Sequence, residues 1–156
     1  MTAIKIRPVR SGDWAQFEGL VAGICLFHGD QPGLTRARFD MLACGEKAPI
    51  LTLVAETEEG ILAGFVAGFP VFEFQQGKTG FQVQNLFVAE NFRRERIGEV
   101  LMLSIMQQAR RKFGVETVKL GAQDWNEGAI NFYKQLGFAE NNNAKKDVRL
   151  IREMQT

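Results

Sequence analysis

The stretch DWNEGAINFYKQLGF, residues 124–138, decides how the rest of the chain is read. Asp124 and Trp125 close a strand, and Asn126 offers the side-chain oxygen that opens helices. Helical spacing over 127–136 then puts Tyr133, seven residues on, on the same face as Asn126. Gly137 stops the helix, and Phe138 is expected to turn into a short strand. The chain holds thirteen phenylalanines and one tyrosine, so packing falls to Phe while the single phenol stands at Tyr133. By count alone a lone tyrosine reads as an amphipathic packing residue; its outlook, shared with Asn126, makes it a candidate for chemistry.

Upstream lies FQVQNLFVAENFRRERIGEVL, residues 81–101, an apolar strand running through a basic turn into a long helix. The first-turn amides of a helix and its positive dipole end make a ready anion site, and Arg93, Arg94 and Arg96 add charge around it. A phosphate-bearing ligand is the natural expectation, with a solvated basic turn as the plain alternative. The turn is neither G-x-x-x-x-G-K-[ST] nor G-x-G-x-x-G, so ordinary nucleotide loops are disfavoured.

Working outward, Ala3–Val9 alternates apolar and charged residues as a strand does, and Ser11 and Asp13 offer cap oxygens to a helix carrying Trp14, Phe17, Val21 and Ile24. After the loop 29–33, Thr35 caps a second helix with Phe39 and Leu42, ended by Gly45 and Pro49. The segment 50–56, the polar turn 57–60 and the apolar run 61–72 predict a hairpin, followed by a strand over 80–88. Gly64 and Gly68, in the hairpin's second strand, suit a bulge or close packing rather than chemistry. Ile97, Leu101, Ile105 and Ala109, with Val100 beside them, predict a helix of about four turns closed by Gly114. A strand over 115–122, the helix of the opening stretch and a weakly alternating strand over 148–154 complete the order βααβββαβαβ. No repeat or long linker divides it, so residues 1–156 read as a single mixed α/β domain.

Composition narrows the functional classes. The 156 residues are 46% hydrophobic and 24% charged with net charge +1, enough to build a core without a disulfide or structural metal. Cys25 and Cys44 match no C-x-x-C pattern and have one histidine for company, so no metal site is expected, and reduced thiols point to the cytoplasm. The first residues lack the apolar core of a signal peptide, and the run 61–72 is too short to span a bilayer. No membrane association is therefore expected. Overall charge near neutral, without an aromatic ladder, also argues against nucleic acid, although residues 93–112 hold a basic excess that would make any such binding steeply salt-dependent.

Together the two segments resemble the GNAT superfamily of N-acetyltransferases, whose pattern is an R/Q-x-x-G-x-G/A turn before the central helix, then an Asn followed by helix and Tyr-x-x-x-Gly-Phe. Asn126, Ala129, Tyr133, Gly137 and Phe138 match the second part, and DWNEGAINFYK is most similar to the diamine (spermidine/spermine and thialysine) acetyltransferase branch. The resemblance covers residues 4–154 and implies a GNAT-type fold, a mostly antiparallel twisted sheet flanked by helices. It implies acetyl-CoA as acyl donor and a primary amine as acceptor: a small molecule, an amino acid or a peptide N-terminus. The pyrophosphate would rest on the amides of Arg94, Glu95, Arg96, Ile97, Gly98 and Glu99 beside Arg93. The pantetheine would pair with Leu86, Phe87 and Val88, an amide near Phe87 would polarise the thioester carbonyl, and Asn126 and Ala129 would help hold the cofactor. Tyr133 would donate a proton to the leaving thiolate, and a homodimer is the usual assembly.

The chain departs from the pattern twice. Arg96 replaces the first glycine of the turn, which is harmless with helical dihedrals and strained with positive φ. Gln84 and Asn85 stand where the diamine branch has a Glu-Asp pair, and neither accepts a proton near neutral pH. His28, Asp30, Glu73 and Asp124 remain as candidate bases, and a polycationic acceptor loses its attraction. The same departures motivate a rival reading: an acyl-CoA-binding regulatory module without turnover.

Overall fold

A computed structural model describes residues 2–141 and 150–155. They fall into two compact units, Met1–Gly121 and Ala122–Thr156, each taken by itself. The first contains β1 (Ile4–Pro8), α1 (Trp14–His28), α2 (Arg36–Ala43), β2 (Leu51–Thr57), β3 (Leu62–Glu73), β4 (Lys78–Val88), α3 (Ile97–Phe113) and β5 (Thr117–Lys119). The second contains α4 (Glu127–Gln135). The five strands lie in one sheet in sequence order, antiparallel from β1 to β4, with β5 parallel to β4.

Helices cover both faces, so the central strands are buried in unbroken runs, Leu51–Ala55 and Leu62–Gly68, instead of alternating. On one face Phe17, Leu20 and Ile24 of α1 and Phe39 of α2 pack on Val54, Phe65 and Ala67. Phe17 is central to this layer, with ring centroids 4.8 Å from both Phe39 and Phe65. On the other, α3 lies against β2, β3 and β4 and buries Ile97, Leu101, Met102, Ile105 and Ala109. Met102, not Val100, completes that stripe: Val100 is 44% exposed. Thr35 caps α2 as expected, accepting from Arg38 N–H at 3.2 Å, and Gly114 closes α3 at φ +63°.

Asp13 does not cap α1. Its carboxylate accepts from the two terminal Arg7 guanidinium nitrogens at 2.8 Å and from the Arg10 amide at 2.8 Å, while Arg7 Nε donates to Glu56 at 2.7 Å. Ser11 donates to Asp40 at 2.7 Å instead of serving the helix. A bidentate pair to a nearly buried guanidinium outcompetes a helix-end amide for the same oxygens.

The hairpin glycines act through space. A β-carbon on Gly64 would lie 2.5 Å from the Phe87 carbonyl oxygen, and one on Gly68 2.5 Å from that of Gln82. The ladder slips at Gly68: Ala67 faces Asn85 and Gly68 faces Val83, which leaves Gln84 as the extra residue of a bulge. Two expected strands come out shorter or absent. β5 is three residues, not the span 115–122, and residues 138–141 after α4 form no strand. Of the expected final strand, residues 150–154 are not a strand, and residues 148–149 lie outside the described residues.

Candidate active site

In the first unit, β5 pairs with β4 over Gly80–Gln82, and among the described residues β4 has no partner on that edge from Val83 to Val88. Which backbone groups face the opening follows from parity. Ala89 N–H donates to Ala63 O at 2.8 Å while Gly64 stands opposite Val88, which makes 64/88 a non-hydrogen-bonded pair and 65/87 a hydrogen-bonded one. The Phe87 amide is therefore directed at β3, and the N–H and C=O groups of Leu86 and Val88 face the open edge. Below the bulge the odd positions face β5, as Thr79 O does in accepting from Glu116 N–H at 3.0 Å. Gln84 reverses that phase. Of the three residues expected to pair with a pantetheine arm, Leu86 and Val88 direct backbone groups to the open edge and Phe87 does not.

The Phe87 side chain has another place. Gly23 of α1 comes so close that a β-carbon there would lie 2.7 Å from the ring, and the Arg93 guanidinium sits 5.7 Å from the ring centroid. Arg93 Nε also donates to the Val88 carbonyl at 3.0 Å. Arg93 thus braces the end of β4. Gly23 had no signature in the sequence beyond being a glycine on an apolar helix.

Beyond it the chain makes the turn into α3. Arg93 N–H donates to Glu90 and Val100 N–H to Arg96; among the described residues no backbone carbonyl accepts from the amides of Arg94 through Glu99. Arg94 and Arg96 are exposed, and both have left-handed backbones, φ +67° and +62°. The strained alternative for residue 96 is the observed one, at a cost of about 1–2 kcal/mol per residue. Glu95, between them, points away from the turn and accepts from Thr2, which holds its carboxyl below the ordinary range. An open strand edge continuing into six unengaged amides with two guanidiniums nearby is chemically suited to an extended ligand ending in phosphates.

The candidate bases fare unequally. Glu73 is bonded to Lys119, which lowers its proton affinity, and it faces Lys78, nine positions and about 30 Å of strand from Phe87. It is removed as a base acting at that end of β4. His28 and Asp30 are exposed at the end of α1, and Gln84 is exposed on the bulge. Among the described residues no three His, Cys, Asp or Glu side chains group as a metal set, and no helix is long and apolar enough to cross a membrane.

In the second unit Asn126 caps α4, its side-chain oxygen accepting from Ala129 N–H at 3.1 Å. That engages the Ala129 amide, while the Asn126 carboxamide NH2 has no acceptor among the described residues. Tyr133 lies edge-on to Phe132 and Phe138, with centroids 5.2 and 5.9 Å away, and this burial pushes its phenol pKa upward. Gly137, at φ +93°, and the bond from Phe138 N–H to Tyr133 O at 3.1 Å end the helix. Asp124 in the same unit is exposed.

A central helix entered through a turn of unengaged amides, on a mixed five-stranded sheet whose β4 edge opens past a bulge, is the arrangement of an acetyltransferase fold. The model of the Acetyltransferase (GNAT) family matches residues 14–138, and the chain belongs to that family. It is 40% identical over 77 residues to the L-ornithine N5-acetyltransferase NATA1 of Arabidopsis thaliana, covering 49% of this chain and 33% of that protein. It is 33% identical over 73 residues to an uncharacterized N-acetyltransferase of Methanocaldococcus jannaschii, covering 47% and 32%. The chain thus aligns with about a third of the length of these curated relatives. Among solved structures, a probable acetyltransferase superposes with a TM-score of 0.82 at 20% identity, over 96% of this chain and 99% of that one. An aminoglycoside acetyltransferase from an uncultured soil metagenomic sample, in complex with sisomicin, superposes with a TM-score of 0.71 at 18% identity, over 98% and 97%. These structural likenesses concern the fold.

Proposed function

We propose that the chain is one N-acetyltransferase domain that transfers an acetyl group from acetyl-CoA to a primary amine by direct attack. The observation that carries this reading is the open β4 edge, with the Leu86 and Val88 amides directed into it, running into the unengaged amides of 94–99. The bound cofactor supplies an activated thioester. Leu86 and Val88 would hold the extended arm as a neighbouring strand does, and their amides would donate to the thioester carbonyl oxygen. The turn amides, with Arg94 and Arg96 nearby, receive the phosphates.

Tyr133 would be the donor at the thioester sulfur. From an ordinary phenol near 10 to a thiol near 8.5, transfer is uphill by about 2 kcal/mol. Burial steepens that difference, so the phenol stays protonated and acts by donating a hydrogen bond in the transition state. With Gln84 and Asn85 unable to take a proton, the acceptor enters as its neutral fraction or loses its proton through water. That favours a weakly charged amine, an amino acid or a peptide N-terminus over a polycation, and NATA1's name, an ornithine acetyltransferase, is in keeping with a small amine-bearing acceptor. The reading also carries a cytoplasmic homodimer. The alternative favoured by Gln84 and Asn85 is a module that binds acyl-CoA without turnover.

Calorimetric titration with acetyl-CoA, with CoA and ATP as controls, followed by thiol release over a panel of amines at pH 9, tests both. Acetyl-CoA binding with thiol release on an amine is the expected result. Binding without release from any amine favours the module, and no binding at millimolar ligand overturns the cofactor reading.

A further inference from the structure

An acidic residue at the centre of an anion-binding turn calls for a reason. Glu95 lies between Arg94 and Arg96, whose backbones are left-handed, in the segment whose amides are left for phosphates. A free carboxylate there repels the ligand. Its oxygens are instead turned to the segment before β1: Oε1 accepts the Thr2 backbone N–H at 2.9 Å and the Thr2 hydroxyl at 2.9 Å, and Oε2 lies 3.3 Å from the same hydroxyl. The contact joins residues 93 apart in sequence and is partly buried. It ties the turn to a chain that enters the sheet two residues later, at Ile4.

We propose that Glu95 is a positioning residue for cofactor binding: locked on Thr2, it holds the 94–96 turn in the left-handed form that exposes its amides and keeps its own charge off the anion. This rests on the reading of that turn as the pyrophosphate site. Two L-residues in left-handed conformation do not hold themselves there, and the sole carboxylate between them makes the contact that fixes the turn from outside. A charge that only repelled the ligand and a charge that shapes the turn predict opposite signs on removal, so the idea is exposed to a direct test.

The test titrates CoA, and separately pantetheine, which lacks phosphates, into the wild-type chain and the variants Glu95→Gln, Glu95→Ala and Thr2→Val. Glu95→Gln keeps an oxygen for the Thr2 donors and leaves CoA affinity within about two-fold of wild type, whereas Glu95→Ala weakens it about ten-fold. Thr2→Val removes the hydroxyl but not the amide and weakens CoA binding about three-fold. Pantetheine affinity stays within about two-fold throughout, a split that general destabilisation does not produce. Tighter CoA binding by both Glu95 variants, or equal loss for CoA and pantetheine, overturns the proposal. If Glu95→Ala does not fold, Thr2→Val decides: CoA affinity equal to wild type overturns the clamp. Failure of the wild-type chain to bind CoA at all instead overturns the cofactor reading on which the clamp rests.

Discussion

Replacing Arg96 by glycine is expected to stabilise the chain relative to replacing it by alanine, although both changes remove the same charge. At φ +62° and ψ +17° a β-carbon costs about 1–2 kcal/mol, and glycine returns about 0.4–1 kcal/mol of that through the freedom of its unfolded chain. Residue 96 is also the N-cap of α3, where glycine is preferred to alanine, so the net advantage of glycine is about 1 kcal/mol. For a chain of 156 residues that is about 2–4 °C in melting temperature. Paired urea unfolding curves with matched m-values, supported by thermal melts, read the difference directly. Alanine equal to or more stable than glycine at 96 would refute a left-handed residue there. Glycine also lets an anion approach the backbone more closely, so CoA is expected to bind Arg96→Gly at least as tightly as Arg96→Ala.

Tyr133→Phe is expected to lower kcat about ten-fold or more with acetyl-CoA affinity unchanged; equal turnover in the thiol-release assay takes Tyr133 out of the mechanism. Gly64→Ala drives a β-carbon onto the Phe87 carbonyl and should cost about 2–3 kcal/mol in urea unfolding. Asp13 is held below its ordinary 3.8 chiefly by the Arg7 hydrogen bonds, so its contribution is complete above the carboxylate range and fades as pH falls below about 5. Asp13→Asn should flatten that acid limb and cost about 3 kcal/mol at pH 7, because Arg7 keeps Glu56 but loses its bidentate partner.

Periodicity made the helices legible: Phe17 and Ile24 face the core as their spacing says, and Thr35 and Gly114 mark ends with local chemistry that spacing reveals. The hairpin glycines were readable as close-packing positions because only glycine tolerates a carbonyl at 2.5 Å. What local pattern hides is competition and phase. Asp13 looks like a cap until Arg7, six residues earlier, claims both its oxygens. Met102, three and seven residues before Ile105 and Ala109, shares their face of α3, and Val100 lies off it. Arg96 reads as a polar turn residue whether its φ is negative or positive. The open edge of β4 depends on how far a parallel partner runs, and β5 stops after three residues.

The bulge at Gln84 decides whether odd-numbered or even-numbered residues of β4 face the open edge. Because the backbone groups of a strand alternate in direction, one surplus residue works as a half-period offset between the lower and upper parts of β4. Substitutions at 84 leave the offset in place. A single-residue deletion there removes the bulge, but Val83 and Asn85 then follow one another in a regular ladder, so the Leu86 and Val88 amides keep facing the open edge. A chain one residue shorter at this point can therefore hold the same edge, and related chains are best aligned by their ladder partners, Gly64 with Val88 and Gly68 with Val83, with a one-residue gap allowed at 84.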